Sequence, residues 1–311
     1  MSFSSTTKNE LSRIRAEGRC CQMAELSALI RTSGSIRLKG LSRTDLSLLT
    51  ENPAIARLIF TFFKKNFNIH TDVVVQKNKT LKKGNAYQIQ IEDAGEILKA
   101  VGILVEVNGF YSINDQIPEF LLNDTCCKRA YIRGAFLGGG SVSDPEKGYH
   151  LEFITHNEEY GDALKLLINS FGLDSKLIDR KANHIVYLKE GDQIVDLLNI
   201  IGAHRALMDF ENVRIVKQMR NDVNRLVNCE TANLNKTVNA AMRQVQDIEL
   251  IKSRVGLGVL PQGLIQLAEL RVEQPEASLK ELGELLDPPV GKSGVNHRFK
   301  KIHKFAESLV D

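Results

Sequence analysis

Two stretches of this chain follow the same plan: CCQMAELSALIRTSGSI at residues 20–36 and CCKRAYIRGAFLGGGSV at residues 126–142. Each begins with two adjacent cysteines, continues as a helix that carries alanine or glycine at helical spacing, and ends in Gly-Ser. The second stretch begins 106 residues after the first (126 − 20). Small residues that recur on one helix face leave room for a second backbone. The repeat therefore predicts two copies of one structural unit, with these two helices packed together at the centre.

The similarity between the two copies continues beyond the Gly-Ser pairs. In each copy an amphipathic helical pattern is followed by a strand-like stretch and another helical pattern, at 52–67, 87–91 and 94–101 and again at 157–171, 184–188 and 192–201. Further strands are expected near 35–38, 72–76, 150–155 and 176–179. We therefore predict an α+β domain over residues 1–208, built from two pseudo-symmetric αββαββα units at about 20–104 and 126–202.

These two repeats resemble the LAGLIDADG homing-endonuclease fold. In that fold each motif helix ends in an acidic residue just before Gly-Ser, and the two acidic residues hold divalent metal over the DNA. Ser33 and Gly139 occupy these positions here, and Asp144 has the wrong spacing to replace them. Metal-assisted phosphodiester cleavage needs acidic oxygen ligands. We therefore expect no catalytic residue, no bound metal and no nuclease activity, so that the protein is not an enzyme.

The five cysteines do not indicate a metal site. Four of them form the adjacent pairs Cys20-Cys21 and Cys126-Cys127, and Cys229 stands alone. Neighbouring side chains on a helix point about 100° apart, which makes adjacent cysteines poor chelators. An odd cysteine count, without an apolar export signal in residues 1–8, indicates reduced thiols in the cytosol. We expect small buried hydrophobic side chains, no cofactor, no membrane span and a cytoplasmic protein.

A second DNA-contacting surface on the α+β domain is an open alternative. Its candidates are basic residues, namely Arg37, Lys39, Arg43, Lys82 and Lys83. Scattered basic residues more often form a solvated face. The backbone amides at 33–35 and 138–140 are also able to cradle phosphates, although tight helix-to-strand turns explain these small residues better.

From Asp209 onward the strand signals disappear and the pattern is helical. We predict a helical linker at 209–230 and a helical domain at 231–311. Two long polar helices, at 209–228 and 231–254, are expected with a break between them at 229–233. Pro261 suits the first turn of a further helix that runs to about Val272.

Residues 277–310 have the pattern of a helix-turn-helix. Ser278 and Glu281 form a capping box that starts the first helix, and Gly283 within it indicates the close approach of a second helix. Ser293 is expected to cap the last helix. The apolar stripe of that helix advances in steps of 4, 3, 4 and 3 residues, through Val295, Phe299, Ile302, Ala306 and Leu309.

The charge on this last helix is what indicates nucleic acid, since the whole chain has a net charge of only +3. Between Lys292 and Lys304 there are five Lys/Arg and no Asp/Glu. The face opposite the apolar stripe therefore offers donors to phosphates and base edges. We predict phosphate contacts by the five basic residues Lys292, Arg298, Lys300, Lys301 and Lys304, base contacts by Asn296 and His297, and a further DNA contact by Ser293. The alternative is a basic helix that only faces solvent.

The two degenerate repeats, together with the segment LLDPPVGKSGVNHRFKKIHKFAESL at residues 285–309, resemble the WhiA family of Gram-positive bacteria. The resemblance implies a sequence-specific DNA-binding transcription regulator linked to cell division, chromosome segregation and sporulation. It also implies a nucleoid-associated location, double-stranded DNA as partner, and a further partner that is another transcription factor or a division protein. The alternative is a non-specific DNA-associated structural or division adaptor, which a genome-wide occupancy map without discrete sites would favour.

Overall fold

The computed structural model describes residues 2–16, 18–39, 43–69, 71–77, 85–107 and 110–310. The chain forms two compact units, Met1–Val216 and Lys217–Asp311. The first unit combines sheets and helices, and the second is helical. The predicted succession of an α+β part and an all-helical part is therefore confirmed.

The first repeat of the α+β unit follows a short helix, α1 Phe3–Leu11. Its elements are α2 Arg19–Ser33, β1 Gly34–Lys39, β2 Arg43–Thr50, α3 Pro53–Phe67, β3 Asp72–Lys77, β4 Asn85–Ile91 and α4 Gly95–Ala100. The four strands form one antiparallel sheet in the order β1-β2-β4-β3. A hairpin of β5 Leu104–Val107 and β6 Phe110–Ile113, followed by a 3-10 turn at Glu119–Leu121, leads to the second repeat.

The second repeat has the same succession of elements. It consists of α5 Thr125–Gly139, β7 Gly140–Val142, β8 Leu151–Thr155, α6 Glu158–Asn169, β9 Lys176–Arg180, β10 Asn183–Leu188 and α7 Gly191–Ile201. Its sheet order, β7-β8-β10-β9, matches that of the first repeat strand for strand. This correspondence confirms that the chain contains two copies of one αββαββα unit.

The helices α2 and α5 pack against each other along the centre of the unit, and their small residues permit the contact. Ala24, Ala28 and Ala130 are fully or almost fully buried. A Cβ atom added at Gly134 would collide with the carbonyl oxygen of Glu25, and one added at Gly138 would collide with the hydroxyl of Thr32. Only glycine permits a backbone approach this close.

A buried ion pair crosses the same interface. Arg133 Nη2 donates to Glu25 Oε2 at 2.7 Å, and the two side chains are 9% and 0% exposed. Burial raises the pKa of the Glu25 carboxyl, and the charge and hydrogen bond of Arg133 act in the opposite direction. Arg133 Nη1 also reaches the carbonyl of Ile201 at the end of α7, at 3.5 Å.

The first repeat places a neutral residue where the second has Arg133. Ser27 is the equivalent position (133 − 106), and its hydroxyl donates to the carbonyl of Val101 at the end of α4, at 2.9 Å. In both repeats the motif helix therefore binds the end of the last helix of its own copy. The charged version of this contact exists only in the second copy.

Several elements of this unit were not among the predicted ones. They are α1, β2, the short β7 and the β5–β6 hairpin. β2 has a clear period of two, because Thr44, Leu46 and Leu48 are buried while their neighbours are not. In α1, Thr7 and Leu11 are buried, and the Ser2 side chain accepts the backbone N–H of Ser5 as a helix cap.

The helical unit departs from prediction at one point. α8, His204–Arg254, is a single continuous helix, and the boundary between the two compact units falls within it. The break predicted at 229–233 is therefore wrong. This stretch contains neither glycine nor proline, and its threonine and asparagine cost a helix only a few tenths of a kcal/mol each, up to about 0.7.

The remaining helices of this unit enclose a separate core. They are α9 Gln262–Glu273, α10 Leu279–Glu284 and α11 Lys292–Glu307, preceded by a 3-10 turn at Leu257–Val259. Pro261 lies at the N-cap of α9, as its predicted place at the helix start requires. The core includes Ile248 and Ile251 from α8 as well as Leu267, Leu282 and Phe299. In the part of the chain that is described, no helix is long and apolar enough to cross a membrane.

The contact between α2 and α5 predicts a specific effect of Gly134→Ala. Alanine favours a helix over glycine by about 1 kcal/mol, but its methyl group would force two backbones apart, at a cost of about 1–3 kcal/mol or more. We expect a net loss in the free energy of unfolding of the α+β unit, measured by urea denaturation of the full chain. Gly148→Ala is the matched control, because an added Cβ there meets nothing within 4 Å. Equal stability of the two variants would contradict the packing.

Candidate nucleic-acid interface

The ends of the two motif helices carry no carboxylate. Ser33 is the last residue of α2 and Gly139 the last of α5, so the structure places them at equivalent positions. The Ser33 hydroxyl donates to the carbonyl of Leu29 at 2.7 Å. A Cβ atom at Gly139 would lie 2.7 Å from the carbonyl oxygen of Ile154 and 3.2 Å from the Cβ of Thr32. At Gly139, therefore, the backbone leaves no room for an acidic side chain.

The groups able to share a metal ion lie elsewhere. Among the described residues, the sets of three or more His, Cys, Asp or Glu ligand atoms that come together involve Cys20, Cys21, Asp124, Cys126 and Cys127. These residues lie at the beginning of α2 and α5, whereas the lost acidic positions lie at their other end. The described part of the motif ends therefore holds no acidic cluster suited to Mg²⁺.

The first helix of the helix-turn-helix begins as the sequence predicts. The Ser278 hydroxyl accepts the backbone N–H of Glu281 at 3.3 Å, and the Glu281 carboxylate accepts the backbone N–H of Ser278 at 2.7 Å. These backbone and side-chain hydrogen bonds hold the pKa of Glu281 below its usual value. The capping box is therefore confirmed, although α10 ends at Glu284, before Leu286 and the two prolines.

Gly283 allows the turn to fold back on α10. The backbone N–H of Val290 donates to the Gly283 carbonyl at 2.8 Å. A Cβ atom at Gly283 would collide with the Val290 carbonyl and would lie 3.1 Å from Val295 Cγ2. The close approach predicted at Gly283 exists. Its tightest contact is with Val290 in the connecting segment, and the contact with Val295 of the second helix is looser.

The last helix begins two residues earlier than predicted. Gly291 is its N-cap and Lys292 its first residue, so the prediction that Ser293 caps this helix is wrong. Gly291 has the extended backbone of an N-cap, and glycine suits that position without a side-chain hydrogen bond. The backbone N–H groups of the first turn of α11 therefore have no side-chain cap.

The predicted apolar stripe of α11 faces the core. Val295, Phe299, Ile302 and Ala306 are buried, and Leu309 lies half-buried just beyond the helix end. Seven of the eight predicted DNA-contacting residues are exposed on the remaining surface: Lys292, Ser293, Asn296, His297, Lys300, Lys301 and Lys304. Within the described residues, none of the four lysines has a carboxylate partner.

Arg298 is placed differently from the other seven. It is half-buried, and its Nη1 donates to the carbonyl of Gly263 in the first turn of α9, at 3.1 Å. The guanidinium therefore helps to join α11 to α9. Nothing in the sequence near Arg298 signals this contact, because its partner lies 35 residues away.

A second arginine, which the sequence does not single out, holds the segment before α10. Arg271 is 2% exposed, and its Nη1 donates to the carbonyls of Pro275 and Ala277 at 3.0 and 2.7 Å. Its guanidinium lies 5.3 Å from the centre of the Phe299 ring. Burial lowers the pKa of Arg271. One side chain thus connects α9, the turn before Ser278, and α11.

Acidic residues border the C-terminal half of α11. His303 Nδ1 lies 2.8 Å from Asp247 Oδ2 on α8, and its Nε2 lies 3.3 Å from Glu307 Oε1. The two carboxylates repel phosphate at this end. Lys292, Asn296 and the uncapped N–H groups lie in the first half of α11, whereas Lys300, Lys301 and Lys304 share the second half with these carboxylates.

Two of the five candidate basic residues of a second surface on the α+β unit are paired with carboxylates. Lys39 forms an ion pair with Asp45, and Arg43 pairs with Glu92 at 3.1 Å. Arg37 is exposed on β1. Lys82 and Lys83 lie outside the described residues.

The fold and the exposed basic helix define a class of protein: a LAGLIDADG-like domain that lacks its acidic residues, followed by a helix-turn-helix. Family models agree with this organisation. Residues 19–104 match the WhiA N-terminal LAGLIDADG-like domain, 128–220 the WhiA LAGLIDADG-like domain and 223–306 the WhiA C-terminal HTH domain. The chain belongs to the WhiA family.

Relatives cover nearly the whole chain. The probable cell division protein WhiA of Alkaliphilus metalliredigens is 56% identical over 310 residues, which are 99% of this chain and 98% of that protein. The protein of the same description from Clostridium acetobutylicum is 54% identical over 312 residues. The crystal structure of full-length DUF199/WhiA from Thermatoga maritima is similar with a TM-score of 0.61 and 27% identity, and the match covers 99% of each chain.

The contacts of Arg271 predict that Arg271→Met destabilises the helix-turn-helix. Hydrogen bonds from a charged group contribute about 1.5–3 kcal/mol each, so we expect a loss on the order of 3 kcal/mol in unfolding free energy. Urea denaturation followed by circular dichroism measures it. Arg243→Met, at an exposed position on α8, is the matched control and should change stability by less than about 0.5 kcal/mol. A similar small change for Arg271→Met would contradict its role.

Proposed function

We propose that this chain is a sequence-specific regulator of transcription that binds double-stranded DNA through α11. The observation that carries the proposal is the exposed face of that helix, where four lysines that have no acidic partner among the described residues lie around Asn296 and His297. The apolar stripe on the other side fixes the helix to the core. This arrangement suits a recognition helix in the major groove.

The start of α11 supports contact with the DNA backbone. Its first-turn N–H groups lack a side-chain cap, and a helix N-terminus carries partial positive charge that favours phosphate. Lys292 lies at this end, and Asn296 follows one turn later on the same face. An amide side chain is suited to the paired donor and acceptor of adenine in the major groove.

We assign phosphate contacts to the four lysines and base contacts to Asn296 and His297, with Ser293 beside them. Because Arg298 is bonded to Gly263, we assign it a positioning role.

The biological setting of this activity is also a proposal. Relatives that cover nearly the whole chain are described as probable cell division proteins, and we infer that the regulated genes concern cell division, chromosome segregation and, in spore-forming hosts, sporulation. DNA binding would place the protein at the nucleoid, in the cytoplasm. The α+β unit would contact another transcription factor or a division protein.

The assigned roles predict different effects for two sets of variants. Lys300→Ala with Lys301→Ala should weaken binding to all duplexes alike, whereas Asn296→Ala should alter which sequences are preferred. If four lysines neutralise four phosphates, log K falls with log salt at a slope of about −3.6, and losing two should reduce the slope by about 1.8. Fluorescence anisotropy on a selected site and a scrambled duplex measures both quantities.

The control for these variants is Lys252→Ala, an exposed lysine on α8 outside the proposed face. It should leave affinity and slope close to those of the wild type. A wild-type slope near zero would overturn DNA binding through this face. Equal, sequence-independent losses from the Asn296 and lysine variants would contradict the division into base and phosphate contacts.

The motif ends predict that the protein does not cleave DNA. Supercoiled plasmid incubated with the protein and Mg²⁺ or Mn²⁺ should remain supercoiled, because Ser33 and Gly139 offer no carboxylate to a metal ion. Gel electrophoresis measures the nicked and linear fractions. Metal-dependent nicking by the wild type that is lost in Ser33→Ala would show that the motif ends retain catalysis.

A further inference from the structure

Four cysteines come together where α2 and α5 begin. Cys20 and Cys21 lie in the first turn of α2, and Cys126 and Cys127 in the first turn of α5. The Sγ atoms of Cys21 and Cys127 are 3.7 Å apart. Cys20, Cys21 and Cys127 have all their Sγ atoms within 4.8 Å of one another, and Cys126 and Asp124 form a second such group with Cys127.

The argument that adjacent cysteines chelate poorly applies to a single helix. Here two helices lie side by side, so each pair needs to supply only part of a site. Cys21 and Cys127 are buried and face each other, while Cys20 and Cys126 are exposed beside them. The two groups share Cys127, and the exposed members leave a path by which an ion enters.

The spacing of the two buried sulfurs fits a tetrahedral metal site. Four thiolates about 2.3 Å from a Zn²⁺ ion have sulfurs about 3.8 Å apart, close to the 3.7 Å between Cys21 and Cys127. A disulfide would need about 2.05 Å. We propose that Cys20, Cys21, Cys126 and Cys127 together bind one Zn²⁺ ion and so join the two central helices at their N-terminal ends.

The ends of the two helices favour negatively charged ligands. Neither Gly18 nor Asp124, the two N-caps, forms a side-chain capping bond, and neither first turn contains an acidic residue. The free N–H groups and the positive ends of both helices therefore stabilise thiolates. Zn²⁺ with four thiolates carries a net charge of −2, which the same two helix ends partly offset.

Metal binding by these cysteines balances without a redox partner: binding of Zn²⁺ by four thiols releases four protons, and no oxidant is required.

Cobalt titration of the full-length protein tests the site. The protein is stripped of metal with a chelator under a non-thiol reductant and titrated with Co²⁺, and absorbance is followed in the near-ultraviolet thiolate-to-metal band and in the visible bands of tetrahedral cobalt. We expect one Co²⁺ per chain, displaced by one equivalent of Zn²⁺. The melting temperature should rise when the ion binds.

Three sets of variants identify the ligands. Cys21→Ala with Cys127→Ala should abolish the thiolate band, and so should Cys20→Ser with Cys126→Ser, whose exposed positions leave the core intact. Cys229→Ser is the matched control, because this exposed cysteine lies on α8, and it should keep the full signal. If the buried-pair variant fails to fold, the exposed-pair variant decides.

Several results would overturn the proposal. They are the absence of a thiolate band in the wild type, a band that survives in the exposed-pair variant, and a band lost in Cys229→Ser. A Cys21–Cys127 disulfide in protein purified with zinc, found by mass spectrometry, would likewise exclude the four-cysteine site.

Discussion

The α+β unit depends on the contact between the backbones of α2 and α5. Gly134 and Gly138 allow the helices to approach until a single added carbon atom would collide with the partner. Because the two helices run side by side, this contact also determines which residues lie together at their beginnings and at their ends. The beginnings bring four cysteines together, and the ends place Ser33 and Gly139 at equivalent positions. Each sheet then follows directly from the end of its own helix.

In the helical unit, buried polar groups as well as small residues fix the positions of the helices. Arg271 fixes the segment before α10, Arg298 fixes α11 to α9, and the Gly283–Val290 hydrogen bond closes the turn between the last two helices. These contacts hold α11 with its apolar face packed in the core and its basic face exposed to solvent. A helix used to read DNA must be held in this way, because base contacts depend on its exact placement.

The sequence predicted what local patterns determine. The capping box of Ser278 and the apolar stripe of α11 each depend on residues a few positions apart, and the repeat is a local pattern that recurs 106 residues later; all three are present. The predictions about helix ends were weaker: the cap assigned to Ser293 belongs to Gly291, and the break at 229–233 does not occur. Polar residues such as threonine and asparagine permit a helix end without requiring one.

Contacts between distant parts of the chain were not predictable from one sequence. Helical spacing places Arg298 on a flank of the basic face, but it does not identify its partner, the Gly263 carbonyl. Arg271 appears as an ordinary charged helix residue, although it is almost completely buried. The cysteine pairs were interpreted one helix at a time, while their meaning depends on how two helices meet. In all three cases the deciding neighbour lies far away along the chain.

The Glu25–Arg133 ion pair makes the two halves of the α+β unit non-interchangeable. If two first repeats from different molecules paired through α2, Glu25 would face Ser27, the counterpart of Arg133, and would remain buried without a cation. Two second repeats would place Arg133 against Tyr131, the counterpart of Glu25. An unpaired buried charge costs about 3–5 kcal/mol, so each half discriminates against its own copy. The ion pair therefore favours the pairing of unlike halves over the pairing of two copies of the same half.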